Sequence, residues 1–134
     1  MKPIRAIGFD YFGVIGGVFG VDKKMLVLAR RLKEQGYTIG ILSNMAGSGA
    51  RLCDKHHLEI FDVVLTSGDI GYTKPDKKAY EVFATALGVE LDELLFIDDA
   101  RSYMEIMKSY GIRGILYTNF DRLIKLLKKE VVRE

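Results

Sequence analysis

Near its amino-terminal end the chain reads Ile4-Arg5-Ala6-Ile7-Gly8-Phe9-Asp10-Tyr11-Phe12-Gly13-Val14-Ile15. Residues 4–9 form a short apolar run that is typical of a buried β-strand, and we predict the first strand there. The run stops at Asp10 and the chain then turns on Gly13, so a carboxylate lies at the carboxyl end of the strand. Open parallel sheets keep their sites at that end. Asp10 is therefore the first candidate for a reacting group.

The composition indicates a folded globular protein. A chain of 134 residues buries roughly two-thirds of its unfolded surface, and we predict one domain over residues 1–134. Hydrophobic residues make up 49% and charged residues 28% of the chain, which excludes a disordered protein. The net charge is only +2, which is far weaker than the clustered basic stripe expected of a nucleic-acid binder. Four basic residues interleaved with leucine and valine predict the solvated face of an amphipathic helix: Lys125, Lys128, Lys129 and Arg133.

The cysteine and histidine residues do not suggest a reactive or metal-binding site. Cys53 is the single cysteine, so it cannot form an internal disulfide, and we interpret it as a buried or incidental thiol. His56 and His57 are adjacent and project in different directions, and we expect both at the surface. No run approaches the ~18 apolar residues of a membrane span, and no signal-like segment precedes the first strand. These features predict a cytoplasmic protein.

The rest of the chain alternates strand and helix patterns. A glycine-rich, apolar segment at residues 13–20 predicts a small hairpin-like flap, because it is too flexible for a helix and too apolar for an ordinary loop. Helices are predicted from Asp22 to Gly36, at 50–57, from Pro75 to Gly88, before Gly111 and at 120–132; further strands are predicted at 38–42, 61–65, 94–97 and 112–117, with a polar turn at 66–73. Five such βα units with short connections predict a doubly wound, five-stranded parallel sheet with helices on both faces.

Polar side chains follow several of these strands. Ser43 and Asn44 end the second strand, and Asp98 and Asp99 end the fourth. Adjacent carboxylates repel each other and resist burial, so they require a cation, protonation or strong hydrogen bonds, and a hard divalent metal supplies the first. Lys74 lies at the amino-terminal edge of a helix, where a cation opposes the helix dipole and indicates a nearby anion. We expect these residues and Asp10 to gather at one edge of the sheet.

Such a set suits chemistry on a phosphorylated or otherwise anionic substrate. Asp10 is a candidate covalent nucleophile, and Mg²⁺ held by Asp10, Asp98 and Asp99 would offset the repulsion between carboxylates. Ser43 would donate a hydrogen bond to a phosphoryl oxygen, and Lys74 would neutralise charge in the transition state. Each residue alone is weak evidence, whereas the ordered set is strong.

The ordered set resembles the motifs of the haloacid dehalogenase (HAD) superfamily, whose members are mostly Mg-dependent phosphohydrolases that act through an aspartyl-phosphate. Four stretches carry the resemblance, in the family's order: Phe9-Asp10-Tyr11-Phe12-Gly13-Val14-Ile15, Ile41-Leu42-Ser43-Asn44, Gly71-Tyr72-Thr73-Lys74-Pro75-Asp76 with Tyr80, and Phe96-Ile97-Asp98-Asp99. The resemblance implies a Rossmann-like core with Asp10 as nucleophile and metal ligand. It further implies that the backbone carbonyl of Phe12, Asp98 and Asp99 complete the metal site. The implied substrate-binding residues are Ser43, Asn44 and Lys74.

Three departures from the family pattern qualify this expectation. Phosphatases of the family usually carry a second aspartate two residues after the nucleophile as general acid and base, and here that position is Phe12. Loss of such a group typically costs about 10²- to 10⁴-fold in rate. Tyr103 replaces the Asn or Asp that often follows the fourth motif. The intervals between motifs hold about one helix each, so no cap domain fits, since even a small domain needs ~50 residues.

A capless site suits a bulky or macromolecular phosphorylated substrate, or a cover supplied by a second copy in a homo-oligomer. The flap over residues 14–21 would then be a partner-facing patch, although packing against the edge of the sheet is the simpler interpretation. The leading hypothesis is a Mg-dependent phosphatase. The alternatives are a binding or regulatory module that keeps only the metal site, and a carbon–halide hydrolase, which also uses an Asp nucleophile. A phosphoacceptor receiver domain is disfavoured because its acidic pair should follow the first strand.

Overall fold

A computed structural model describes residues 2–131 of the chain and shows a five-stranded parallel sheet flanked by helices. The elements in chain order are β1 (Ala6–Phe9), β2 (Gly16–Gly17), β3 (Gly20–Val21), α1 (Lys23–Glu34), β4 (Thr38–Ser43), α2 (Gly49–His56), β5 (Val63–Thr66), α3 (Ser67–Ile70), α4 (Lys77–Leu87), β6 (Leu94–Asp98), α5 (Met104–Ser109), β7 (Arg113–Leu116) and α6 (Phe120–Glu130). Short 3-10 turns at Leu91–Glu93 and Arg101–Tyr103 precede β6 and α5.

The sheet has the strand order β5-β4-β1-β6-β7, and all neighbouring strands are parallel. The chain moves outward from β1 through β4 to β5 and then returns to β6 on the other side of β1, so the doubly wound prediction is confirmed. Phe9 pairs with Ile41 of β4 and with Ile97 of β6. The three central strands therefore end close to one level, at the topological switch point where open α/β sheets bind ligands.

The core lies on both faces of the sheet. On one face α1, α2 and α6 cover the strands, and Met25, Leu32 and Leu123 are buried among strand residues. On the other face α4 and α5 cover them with Phe83 and Met107. Burial on both faces explains why the strands read as nearly continuous apolar runs rather than as alternating patterns.

The predicted flap is a two-stranded antiparallel hairpin, in which β2 pairs with β3. Its tip projects away from the core, since Val18 is 84% exposed and the side chain of Phe19 is fully exposed. A partner-facing role for this flap stays a prediction.

Several predicted boundaries are corrected by local hydrogen bonds. The third strand begins at Val63 and not at residue 61, because Asp62 is engaged in a turn in which its carboxylate accepts from the Ile39 amide. The polar turn at 66–73 contains the short helix α3. Pro75 does not open a helix: α4 begins at Lys77, and Asp76 is the N-cap, whose side chain accepts a hydrogen bond from the amide of Lys78. The Lys74–Pro75 peptide bond is cis.

Surface assignments were partly right. The described part of the basic face on α6 is solvated, since Lys125, Lys128 and Lys129 are all exposed; Val132 and Arg133 lie outside the described residues. His57 is exposed as expected, whereas His56 is only half-exposed, and its ring packs against Tyr11 with ring centroids 5.4 Å apart. Within residues 2–131, no helix has the length and apolar character needed to cross a membrane.

Candidate active site

The candidate site lies at the carboxyl edge of the sheet, where β1, β4 and β6 end together. Asp10 follows β1 directly, and its amide donates to the Ile97 carbonyl of β6 at 2.9 Å. Ser43 is the last residue of β4 and Asp98 the last residue of β6, and both are buried. Parallel pairing in register thus brings together side chains that are far apart in the sequence, as predicted.

Lys74 forms the electrostatic centre of the site. Its Nζ donates to Asp10 Oδ1 at 2.9 Å and to Asp98 Oδ2 at 3.0 Å, and only 2% of its side chain is exposed. The ammonium also lies 5.1 Å from the centroid of the Phe96 ring. A buried lysine needs anionic partners. The expected nearby anions are therefore present as Asp10 and Asp98, although Lys74 precedes the N-cap of α4 and does not lie at the edge of the helix.

The side chain of Asn44 forms two hydrogen bonds with the backbone of Lys74. The Lys74 amide donates to Asn44 Oδ1 at 2.8 Å, and Asn44 Nδ2 donates to the Lys74 carbonyl at 3.0 Å. These two bonds link the loop after β4 to the segment before α4, and so fix where the lysine side chain enters the site. Sequence reasoning placed Asn44 on the substrate and had no signal for this pairing, which joins residues 30 positions apart.

The paired acids have different environments. Asp98 is buried, and its Oδ1 accepts from the amide of Ala100 at 3.1 Å. Asp99 is exposed and lies against Gly13, where a Cβ would fall 2.1 Å from Asp99 Oδ2. Gly13 also has φ of +85°, which other residues rarely adopt. One carboxylate oxygen from each of Asp10, Asp98 and Asp99 lies within 4.8 Å of the other two, a spacing at which the three could hold one metal ion.

The pKa of the Asp10 carboxyl is raised in this site. Burial raises the pKa of the Asp10 carboxyl from 3.8 to about 6; Lys74 opposes this shift, and Asp98 and then Asp99 add to it by repulsion. Three carboxylates share one lysine, so the charge of the cluster is incompletely balanced when all are ionised. A bound cation would relieve that imbalance.

The cleft above these groups has a volume of about 260 Å³ and is open to solvent. Ser43 and Lys74 line it beside the carboxylates, and Phe12 and Tyr103 form part of its wall. Phe12 is 45% exposed. The two residues that depart from the family motifs, Phe12 and Tyr103, therefore both line the cleft, and neither side chain carries a carboxylate.

The helix α3 supports the site and was missed as an element. Ser67 Oγ accepts from the Met45 amide at 2.9 Å and donates to the Met45 carbonyl at 3.0 Å, and Thr66 Oγ1 donates to the Gly47 carbonyl. A Cβ at Gly68 would lie 2.1 Å from the Ala46 carbonyl oxygen, so this close approach requires glycine. The loop that carries Asn44 is thus held rigidly. A sequence signal was available, since Thr66 and Asp69 have capping-box spacing and do form that box.

A model of the haloacid dehalogenase-like hydrolase family matches residues 21–111, which is more than half of the chain. The chain belongs to this family of hydrolases. The resemblance inferred from the four motifs is therefore confirmed. The match includes the segments that carry Ser43, Lys74, Asp98 and Asp99, and the geometry described above adds Asp10 from β1 to the same site.

Two curated relatives match part of the chain. Phosphatase MT3486 of Mycobacterium tuberculosis is 35% identical over 88 residues, which cover 63% of this chain and 40% of that protein. Bifunctional epoxide hydrolase 2 of Sus scrofa is 30% identical over 118 residues, which cover 81% of this chain and 21% of that protein. The chain therefore spans less than half the length of either relative.

Solved structures share the fold over nearly their whole length. An uncharacterized protein from Corynebacterium glutamicum superposes with a TM-score of 0.83 at 26% identity, covering 98% of this chain and 97% of that one. The HAD family enzyme BT-2542 from Bacteroides thetaiotaomicron, in a magnesium complex, superposes with a TM-score of 0.76 at 15% identity, covering 92% and 100%. The second likeness bears on the fold alone. Together they confirm the Rossmann-like HAD architecture.

Proposed function

We propose that this chain is a magnesium-dependent phosphatase that forms an aspartyl-phosphate on Asp10. One observation carries the proposal: Asp10 shares a metal-sized cluster with Asp98 and Asp99 while its other contact is the buried ammonium of Lys74. A nucleophile, a metal site and a fixed cation for phosphoryl oxygens are thereby combined within one cleft. Residues 1–134 would act as one capless catalytic domain.

The residues present fit magnesium. The donors are all carboxylate oxygens, which hard divalent cations prefer, and Mg²⁺ typically takes one or two carboxylates together with phosphate and water. Asp10, Asp98 and Asp99 would hold it, with the backbone carbonyl of Phe12 as the further ligand suggested by the family motif. When bound, the ion supplies charge neutralisation and polarises the phosphoryl group.

The side chains of the chain itself account for the first chemical step. A carboxylate oxygen of Asp10 attacks phosphorus, and the bond from phosphorus to the leaving-group oxygen breaks with its electron pair remaining on that oxygen. Ser43 donates a hydrogen bond to a non-bridging oxygen, and Lys74 stabilises the charge that develops there. Water then hydrolyses the acyl phosphate, which releases phosphate and regenerates Asp10.

Phe12 determines which esters this step suits. It has no proton to donate, so the leaving group departs as an anion, and its basicity sets the rate. Phenolates leave far more readily than alkoxides under that condition, since the pKa of a phenol is only about 10. We therefore expect activity on aryl phosphates and slow turnover of alkyl phosphates.

Two relatives support a phosphoryl site. The mycobacterial relative is named a phosphatase. A structure of the BT-2542 enzyme contains magnesium and inorganic phosphate, at 19% identity and a TM-score of 0.66 over 78% of this chain and 58% of that one. These names apply to those proteins and enter here only as reasons for choosing the same chemistry.

The direct test is incubation with 4-nitrophenyl phosphate and Mg²⁺, with Asp10→Asn as the matched control. We expect release of nitrophenolate that requires both Mg²⁺ and Asp10. Turnover no faster than that of Asp10→Asn would reject the phosphatase. Partner capture that persists in Asp10→Asn would then favour a binding module, and halide release from a haloacid without added metal would favour carbon–halide hydrolysis.

The open cleft also motivates a test of substrate size and self-association. Protein and nucleotide phosphoesters should be compared with small aryl esters, and the molar mass in solution should be measured by light scattering. A dimer whose dissociation lowers activity would indicate that a second copy covers the site. Equal activity per chain at all concentrations would exclude that cover.

A further inference from the structure

A second cleft adjoins the phosphoryl site and is not used by the chemistry described above. Its volume is about 430 Å³, and Phe12 forms part of its wall as well as part of the wall of the phosphoryl cleft. The flap residues Gly17 and Val18 line one side, and the loop after β4 and the helix α2 line the other. The two clefts are therefore neighbours that share Phe12 as a wall.

The inner wall of the second cleft is largely aromatic and apolar. The partly exposed Phe12 ring meets the buried Tyr11 ring edge to face with centroids 5.1 Å apart, and the centroids of His56 and Tyr11 are 5.4 Å apart. Met45 and Leu52 complete this surface. Flat rings pack well against such edges and faces, so an aromatic group fits this wall better than a hydrophilic sugar does.

The outer rim of the same cleft is cationic. Arg51 and Lys55 lie one helical turn apart on α2, and His56 follows them. None of the three takes part in an ion pair among residues 2–131. Side chains spaced four residues apart lie on one side of a helix, so Arg51 and Lys55 can approach one anion together. A guanidinium is well shaped to bind a carboxylate through two hydrogen bonds.

The geometry of displacement sends the leaving group away from Asp10. Attack by Asp10 on phosphorus pushes the leaving oxygen to the side of phosphorus opposite the carboxylate, since the attacking and leaving oxygens are roughly in line. Phe12 borders both the phosphoryl cleft and the second cleft. The loop that connects the two clefts is fixed by the Ser67 and Thr66 hydrogen bonds, so the second cleft is preformed.

We propose that the second cleft binds the leaving group and selects aromatic phosphomonoesters that carry a second anionic group, such as a carboxylate. The ring lies against Phe12, and the second anion is bound by Arg51 and Lys55. This proposal rests on the proposed phosphatase activity. In the step that uses the cleft, the bond between phosphorus and the aryl oxygen breaks, the electron pair stays on that oxygen, and the phenolate later takes a proton from water.

The first test compares phenyl phosphate with 4-carboxyphenyl phosphate and 3-carboxyphenyl phosphate. We expect kcat/KM to be higher by about tenfold for at least one carboxylated ester, which is the factor that a charge-assisted hydrogen bond supplies. The double variant Arg51→Gln/Lys55→Gln should lower that ratio toward one. The matched control is Lys125→Gln/Lys129→Gln, which removes two exposed cations at the same spacing on α6 and should leave the ratio unchanged.

The second test measures binding without turnover. Asp10→Asn is titrated calorimetrically with 4-hydroxybenzoate and, separately, with phenol in the absence of metal; circular dichroism confirms that each variant is folded. Tighter binding of the carboxylate, lost in Arg51→Gln/Lys55→Gln, supports the subsite. If phenyl phosphate is hydrolysed as efficiently as the carboxylated esters, or if 4-hydroxybenzoate and phenol bind equally, the subsite is rejected while the phosphatase proposal stands. If no ester is hydrolysed, the phosphatase proposal fails and the titration alone decides the subsite.

Discussion

At the scale of single residues, Phe12 is the position that bears most directly on the proposed reaction. It is 45% exposed, lines the phosphoryl cleft and offers no proton to a leaving group. Phe12→Asp should therefore raise kcat/KM for alkyl phosphates by about 10²-fold, within the range for general acid catalysis, and raise it less for aryl phosphates. The measurement is a comparison of the two ester classes at saturating Mg²⁺.

Phe12→Asn is the control for this change, because it has nearly the same shape as the aspartate variant and cannot act as an acid. It should not reproduce the gain on alkyl esters. If the aspartate and asparagine variants behave alike, the missing acid is not what limits the wild-type chain.

The raised pKa of the Asp10 carboxyl predicts that the stability of the metal-free protein depends on pH. Its pKa is about 6 in the folded protein against an ordinary 3.8, so between these values the folded state binds the proton more tightly than the unfolded state. The stabilising contribution of this group is full below about pH 3.8 and is lost as the pH rises through about 6. The loss is at most about 3 kcal/mol.

Urea unfolding of wild type and Asp10→Asn between pH 4 and pH 7.5 measures this contribution. The asparagine side chain can still accept the Lys74 hydrogen bond but does not titrate. The free energy of unfolding of Asp10→Asn should therefore increase relative to that of wild type as the pH rises. Parallel pH profiles for the two proteins would contradict the assignment of a raised pKa to Asp10.

At the scale of elements, the turn that leads into the flap sets the position of Asp99. A Cβ at Gly13 would collide with Asp99 Oδ2, and φ is +85° at this residue. Gly13→Ala should displace the carboxylate and weaken Mg²⁺ binding by about tenfold or more, as is typical when the support of a metal ligand is lost. The measurement is calorimetric titration with Mg²⁺.

Gly17→Ala in the same flap is the matched control, because a Cβ there would have no atom within 4 Å. It should bind Mg²⁺ as wild type does. Equal affinities for all three proteins would show that Asp99 does not contribute to the metal site.

Elements were predicted well where the apolar pattern was long and poorly where the element was short or two residues competed to start a helix. The strand β1 and the helix α1 follow from an apolar run and from Asp22, whose side chain caps α1 by accepting from the Lys24 amide. The helix α3 was interpreted as a turn because its four residues are too few for a periodic pattern. The start of α4 was displaced because Pro75 favours a first helical turn in isolation, whereas Asp76 caps the helix in the folded chain.

At the scale of the whole molecule, strand order explains why the site was predictable. Polar residues that end apolar runs must meet when parallel strands pair in register, and Lys74 contacts both Asp10 and Asp98 as expected. The second cleft and the pairing of Asn44 with Lys74 were not predictable, because both depend on how loops from separate βα units pack. Patterns in the sequence therefore predict which residues meet at strand ends, but not how loops pack against one another.

Metal binding should stabilise the entire fold. The proposed Mg²⁺ site consists of three carboxylates that the native fold brings together, so a concentration 100-fold above Kd should add about 2.7 kcal/mol to the free energy of unfolding. Thermal unfolding with and without Mg²⁺ measures this gain. Asp99→Asn should reduce it, whereas the distant exposed variant Lys128→Gln should retain it; a gain that is equal in both variants would argue against the proposed ligands.

The most direct test of the central claim is a covalent intermediate on Asp10. Wild-type protein mixed with 4-nitrophenyl phosphate and Mg²⁺ is quenched in acid within the first turnover, digested and examined by mass spectrometry. The account predicts one phosphoryl group on the peptide that contains Asp10, and none in Asp10→Asn or without Mg²⁺. Steady release of phosphate with no phosphoryl group on that peptide, or with equal rate in Asp10→Asn, would contradict it.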